Sequence, residues 1–338
     1  MRGPGFAQRR LPVRILLFAV FAFAISWTLW FLHPVFSADP SAAVTLDQLA
    51  TFGPAAAALL VASDRSAVVG GPPRVRAAVA SLLVFAVTVL LLAPRWTDAS
   101  SPAAIVLLAV LTAIPAALVW AAGSRVPRVS HLLSSILVPR SPWWTYVVAL
   151  LLFPAASALG GGLVVLLGGE FGPWPLSISE SVIGILAVFG VTLLFGGPLG
   201  EEVGWRGWLL PALQVRLSPL LASLIVGLVW GLWHLPLHLR GMYDADMGAG
   251  LVGFATRIAS SCLLAVLFTW LYNRSRGGLL VMILLHTSVN NASGYWMPVN
   301  AGTTAVLLLI AVGVVVGDRM YARPPAVSHR RSTWLQES

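Results

Sequence analysis

Residues 178–207 read ISESVIGILAVFGVTLLFGGPLGEEVGWRG, a run of apolar side chains that ends on two adjacent acids and an arginine. A bilayer-spanning helix needs roughly 17–25 mostly apolar residues, so the first part of this stretch predicts a span over 178–199. The chain offers nine more such runs, near 11–32, 46–62, 75–93, 102–122, 143–168, 218–239, 250–272, 278–296 and 302–317. The expected fold is all-α: a polytopic transmembrane helix bundle of about ten spans. The run at 11–32 reads as a retained span, because its apolar stretch is longer than the roughly 7–15 residues of a signal-peptide core.

Composition agrees. Of 338 residues, 58% are hydrophobic and 10% charged, with a mean hydropathy of +0.87. Soluble domains carry about 25% charged residues, so a soluble enzyme is excluded. The formal charge is +9, and all 21 cations are Arg. In a chain of membrane spans this charge points to anionic lipid headgroups, not nucleic acid. Cys262 is the single cysteine, which leaves no internal disulfide and no thiol-based metal site. No internal repeat is visible.

Cytoplasmic loops retain Arg and Lys. With the N-terminus inside, 18 of the 21 Arg fall on the cytoplasmic side, Arg206 among them. Arg95 and Arg240 fall on the opposite side, and Arg257 lies inside the eighth span. Both termini are therefore expected in the cytoplasm, and the Arg-only, Ala-, Val- and Gly-rich composition suggests a bacterial chain, multi-pass in the plasma membrane. The expected organisation is an N-terminal region of about four spans (1–142), a core (143–317), and a basic, disordered tail (318–338).

Ionisable side chains are costly in a bilayer, so their positions carry the functional reading. Three groups stand out. Glu201 and Glu202 precede Arg206; four residues apart on a helix, Glu202 and Arg206 can pair, which turns Glu201 about 100° away and leaves it free. Taken alone this is an ion pair anchoring a helix end. His234 and His238 lie in the seventh span at the spacing of a zinc-binding helix, but Leu235 stands where zinc proteases place a base Glu, and Pro236 interrupts the backbone. His238 is accordingly read as structural. His286 and Asn290 share one face of the ninth span, where both can donate to an anionic oxygen or simply join helices. Thr287, Ser288 and Asn291 are read as packing residues. No Ser, Thr or Cys has a base partner in sequence, which favours a water nucleophile.

The ordered set Glu201-Glu202-x-x-x-Arg206, Trp230-x-x-x-His234 and His286-x-x-x-Asn290 resembles the three motifs of the CPBP family of intramembrane proteases. That family includes the type II CAAX prenyl endopeptidases and the bacteriocin-processing and immunity relatives called Abi proteins. The resemblance covers roughly 143–317, including Gly207-Trp208-Leu209-Leu210-Pro211 and Thr269-Trp270-Leu271-Tyr272-Asn273-Arg274. Trp230 replaces the family's more usual Phe, and the spans over 75–122 are additional to the usual eight.

The resemblance implies a peptide-bond hydrolase near the cytoplasmic face. Glu201 would deprotonate water, His234 would hold it, His286 with Asn290 would stabilise the oxyanion, and Glu202 with Arg206 would organise the first motif. The family is often described as metalloproteases, and Glu201, His234 and His286 would supply a His₂Glu zinc set with Glu202 as base. A metal-free site is favoured here, because Asn290 is a poor zinc ligand and a good amide donor. Partners are a peptide or protein substrate and the bilayer, with no nucleic acid. The other function classes are a proton-coupled transporter and a non-catalytic scaffold or immunity protein of the same fold. Along straight helices, His234 falls about 24 Å from Ser218 while Glu201 falls near a helix end, so the two should lie at different depths.

Overall fold

The computed structural model describes residues 4–62, 74–124, 127–137, 141–171, 182–242, 250–293 and 299–322. Among these there is no strand. Helix α1 (Pro4–Leu32) runs through a 3₁₀ turn (His33–Phe36) into α2 (Pro40–Ala50) and α3 (Gly53–Ala62). Then come α4 (Arg74–Asp98), α5 (Pro102–Ala121), the short α6 (Pro127–Leu137), α7 (Trp143–Leu166), α8 (Val182–Phe195) and α9 (Pro198–Gly204). A π-helical turn (Trp205–Leu209) leads to α10 (Leu210–Gln214), α11 (Pro219–Trp233), α12 (Leu235–Leu239), α13 (Gly250–Arg274), α14 (Leu279–Asn291) and α15 (Ala301–Gly317).

Among the described residues, helices fall near each of the expected runs, and seven are individually long and apolar enough to cross a bilayer. The α2–α3 pair is bent by 41° and forms one broken span or a re-entrant loop, while α14 and α15 are shorter. The basic tail from 323 onward lies outside the described residues.

The largest departure from expectation is the sixth span. Gly196-Gly197-Pro198 is a local break, with Gly197 at φ +108°, and the apolar element continues from Ile183 to Gln214. Only glycine takes that φ without strain. The charges 201–206 therefore sit within a continuing helical element and not in a loop, and Arg206, expected in a cytoplasmic loop, is fully buried.

Small residues let the helices approach closely, as bundles in lipid require. A Cβ on Gly200 would lie 2.5 Å from the Thr51 carbonyl oxygen, and one on Gly204 would lie 2.6 Å from the Pro54 carbonyl carbon and oxygen. Helix α9 thus rests on the α2–α3 bend, backbone to backbone. On α11, Gly227 and Gly231 meet Cys262 and Ile258 of α13 in the same way, with Cα atoms 2.5 and 2.8 Å from the would-be Cβ positions. Aromatic side chains close the remaining space. Phe18 of α1 stacks on Trp208 at 5.0 Å and meets Trp205 edge-on at 5.6 Å. The N-terminal helices share one hydrophobic core with 203–237.

Candidate active site

Continuation of the sixth element removes the difference in depth expected between Glu201 and His234. Both can be measured from the turn joining α10 to α11. Glu201 lies thirteen residues before Gln214, about 20 Å, and His234 fifteen residues after Pro219, about 22 Å. Ser218 fixes the start of that second climb by accepting a hydrogen bond from the Leu221 N–H at 3.3 Å, with Pro219 at the first helical position.

Glu202 and Arg206 pair as their spacing requires, Nη1 to Oε1 at 2.8 Å, with neither side chain exposed. The same Glu202 oxygen lies 2.7 Å from His286 Nδ1, so one carboxylate oxygen joins α9, the π turn and α14. The guanidinium carbon lies 4.2 Å from the Phe268 ring centroid and 4.7 Å from that of Trp230. This is where a desolvated Arg gains most from a ring's negative face. An ion pair, an imidazole and two ring faces together let the charge reside where an isolated one would be expelled.

Glu201 is not free, as its rotation from Glu202 suggested. Its Oε2 accepts a hydrogen bond from the Trp230 indole N–H at 2.6 Å, and only 4% of the residue is exposed. Trp230 also reaches His234, whose Nδ1 is 2.7 Å from the Trp230 carbonyl oxygen. A carbonyl only accepts, so Nδ1 carries the proton and Nε2 is the basic nitrogen of the neutral ring. Trp230 therefore links the Glu201 carboxylate to the His234 imidazole through its side chain and its backbone. Sequence reading noted it only as an aromatic in place of the family's more usual Phe. Its indole packs edge-on to His286 at 5.3 Å, as does Phe268 at 5.8 Å. Phe268 was missed altogether, since one Phe within an apolar span carries no distinguishing mark.

Asn290 is half-buried and donates from Nδ2 to the Gly196 carbonyl oxygen at 3.2 Å, which places it beside the α8–α9 break. An amide nitrogen has a second hydrogen to offer. The residues read as packing behave so: Thr287 donates to the Ile283 carbonyl, Ser288 to the Leu150 carbonyl of α7, and Asn291 to the Thr287 carbonyl. His238 sets Nε2 2.8 Å from the Gly250 carbonyl oxygen, away from the two glutamates' hydrogen bonds.

Among the described residues, no group of three or more His, Cys, Asp or Glu side chains is placed to hold a metal ion. Glu201, His234 and His286 each turn one atom toward a different partner, namely the Trp230 indole, the Trp230 carbonyl and Glu202. Both imidazoles engage Nδ1 in these bonds, the orientation a metal-ligating His also takes, but among the described residues the three side chains do not converge as a ligand set. Several buried polar atoms at the site, namely Glu202 Oε2, Arg206 Nε and Nη2, and the indole nitrogens of Trp205, Trp208 and Trp233, have no hydrogen-bond partner among the described residues. The cluster offers carboxylate, imidazole and amide groups in an apolar surround, the chemistry amide hydrolysis needs.

Residues 183–292 match the family described as Type II CAAX prenyl endopeptidase Rce1-like. The chain is also similar to "CAAX prenyl protease 2" of Methanococcus maripaludis, with 26% identity over 185 residues. That match spans 52% of this chain and 66% of the relative, just under two thirds of its length. The matched residues contain all three motifs, with the glutamate pair, both imidazoles and the amide on packed helices. Over its core, this polytopic chain is similar to the CPBP, or CAAX protease, family.

Proposed function

We infer that this protein is an intramembrane endopeptidase that hydrolyses a peptide bond with water activated by Glu201. The observation that carries the reading is the pairing of carboxylates inside one span. Glu202 is held by Arg206 and His286, while among the described residues Glu201 is hydrogen-bonded through one oxygen to the Trp230 indole. One acid is thus committed to structure and the other can take a proton.

Water held by His234 Nε2 loses a proton to Glu201 as its oxygen attacks the scissile carbonyl carbon. The oxyanion that forms is met by the Asn290 N–H and by the Nε2–H of His286 as an imidazolium, whose Nδ1–H is donated to Glu202. Glu201 then returns the proton to the departing amine nitrogen, the C–N bond breaks, and an acid and an amine leave. Base catalysis of this kind supplies about 10²–10⁴ in rate, and one oxyanion donor about 10²–10³. Glu202 fixes the His286 ring by accepting from Nδ1, which sets Nε2 as the atom left for substrate.

The substrate is a peptide or protein segment reaching the site from the membrane or the cytoplasm. Prenylated CAAX chains, named in both matches, are the first to try. The arginine asymmetry supports a plasma-membrane orientation with both termini cytoplasmic. The test is cleavage of a fluorescent farnesylated CAAX reporter, and of solubilised membrane protein, by the purified protein and by Glu201→Gln. Peptides released only by the wild type support the reading; equal release by Glu201→Gln ends the base assignment. Proton-coupled flux in liposomes without cleavage would favour a transporter instead.

A further inference from the structure

The matched region contains His234, but part of what holds the chain around it comes from outside that region. At His234 the backbone leaves the helix, with φ −77° and ψ 0°, and Pro236 brings no N–H to the Leu232 carbonyl. A break of this kind is a hinge, and the imidazole sits on it.

Two contacts from outside 183–292 close on either end. Before the break, the Trp27 indole N–H of α1 donates to the Trp233 carbonyl oxygen at 2.9 Å. Trp30 of the same helix places its ring 4.4 Å from that of Trp233, which in turn lies 4.9 Å from the His234 imidazole. After the break, Arg240 binds both oxygens of Asp47 on α2, at 2.7 and 3.0 Å. His33 Nδ1 lies 3.0 Å from the second of those oxygens. The fork is largely shielded, with side chains 18% and 19% exposed, and a bidentate guanidinium–carboxylate pair fixes direction as well as distance.

We propose that Trp27 and Asp47 are positioning residues, clamping segment 233–240 from both ends so that the His234 imidazole stays at the depth and angle the Glu201 water requires. The proposal rests on the hydrolytic reading above. It assigns the N-terminal helices a part in the reaction although they carry none of the three motifs. Loss of either contact releases one end of the hinge, and a shift of about 1 Å in a reacting group can cost about 100-fold in rate.

The test uses the full chain in nanodiscs, with kcat and KM on the farnesylated CAAX reporter and ¹⁵N spectra of histidine-labelled protein. The His234 resonances are assigned by their loss in His234→Asn. Trp27→Phe keeps the ring and removes the donor; Asp47→Asn keeps the shape and removes the charge. Each should lower kcat about 10-fold with KM within about two-fold, and broaden or split the His234 resonances. Combining Asp47→Arg with Arg240→Asp should recover much of both. Unchanged kcat and unchanged His234 resonances in Trp27→Phe and Asp47→Asn, whatever happens to thermal stability, overturn the clamp. A wild type that cleaves nothing strikes the hydrolytic reading alone, and the His234 resonances still decide the clamp.

Discussion

Replacing Gly204 with Ala tests whether the seat of α9 on the α2–α3 bend sets the site. The added Cβ would meet the Pro54 carbonyl carbon and oxygen at 2.6 Å and the Pro54 Cβ closer still. Carbon atoms rest about 3.5–4.0 Å apart, so α9 must retreat by about 1 Å. Ala gains about 1 kcal/mol in helix propensity over Gly, whereas overpacking costs about 1–3 kcal/mol. Because the obstacle is backbone, the cost belongs at the upper end, leaving a net loss of about 2 kcal/mol. Glu201 and Glu202 move with the turn, and their hydrogen bonds of 2.6 to 2.8 Å cannot all survive that shift. The rate should fall about 100-fold. Reporter cleavage and thermal unfolding are compared with Gly313→Ala, where a Cβ meets nothing within 4 Å. If Gly204→Ala matches Gly313→Ala in both, the backbone seat does not position the acids.

Four further outcomes are expected. His234→Ala and His286→Ala should each cost about 100-fold or more in kcat while the protein stays folded by thermal unfolding. His238→Ala removes only a hydrogen bond to the Gly250 carbonyl; it should cost about 1 kcal/mol of stability and far less activity than His234→Ala, measured side by side. Asp318, just past α15, is hydrogen-bonded by Arg274, which holds its carboxyl below the usual range. Its stabilisation is therefore present above about pH 4 and lost as pH falls through the lowered value. The pair is half-exposed, so Asp318→Asn should lower stability by less than about 1 kcal/mol at pH 7 and leave no difference from wild type in strong acid. With Cys262 replaced, a cysteine at Asp98 should label from outside and one at Arg274 from the cytoplasm; the reverse pattern inverts the topology.

Helix positions were legible because hydropathy over twenty residues is a coarse, additive property. The Glu202–Arg206 pair was equally legible, since helical spacing alone brings those side chains together. The depth of Glu201 was not. Gly-Gly-Pro followed by three charges has the composition of a span end, and only a counter-ion, two ring faces and His286 allow the helix to continue through it. Trp230 illustrates a second limit. An indole beside a His in an apolar run reads as packing, and its hydrogen bond to Glu201, 29 residues earlier, depends on how α9 and α11 are set side by side. The glycines at 200 and 204 showed small-residue spacing but gave no hint that their partner was the bend at Thr51–Pro54.

The position of Arg206 four residues after Glu202 also bears on how this span enters the membrane. An acid or an arginine at a helix centre costs about 2.5–3.5 kcal/mol on insertion. Because the pair lies within one helix, the two charges neutralise each other as soon as that helix forms, before any later segment has been synthesised. The span brings its own counter-ion into the lipid, and the most apolar eighteen-residue stretch of the element, with a mean hydropathy of 2.0, offsets what remains. His286 and Trp230 are needed only when α14 and α11 dock, in the second stage of a two-stage assembly. Insertion of the acidic helix is thereby separated from construction of the site, and does not depend on the order in which the later spans arrive.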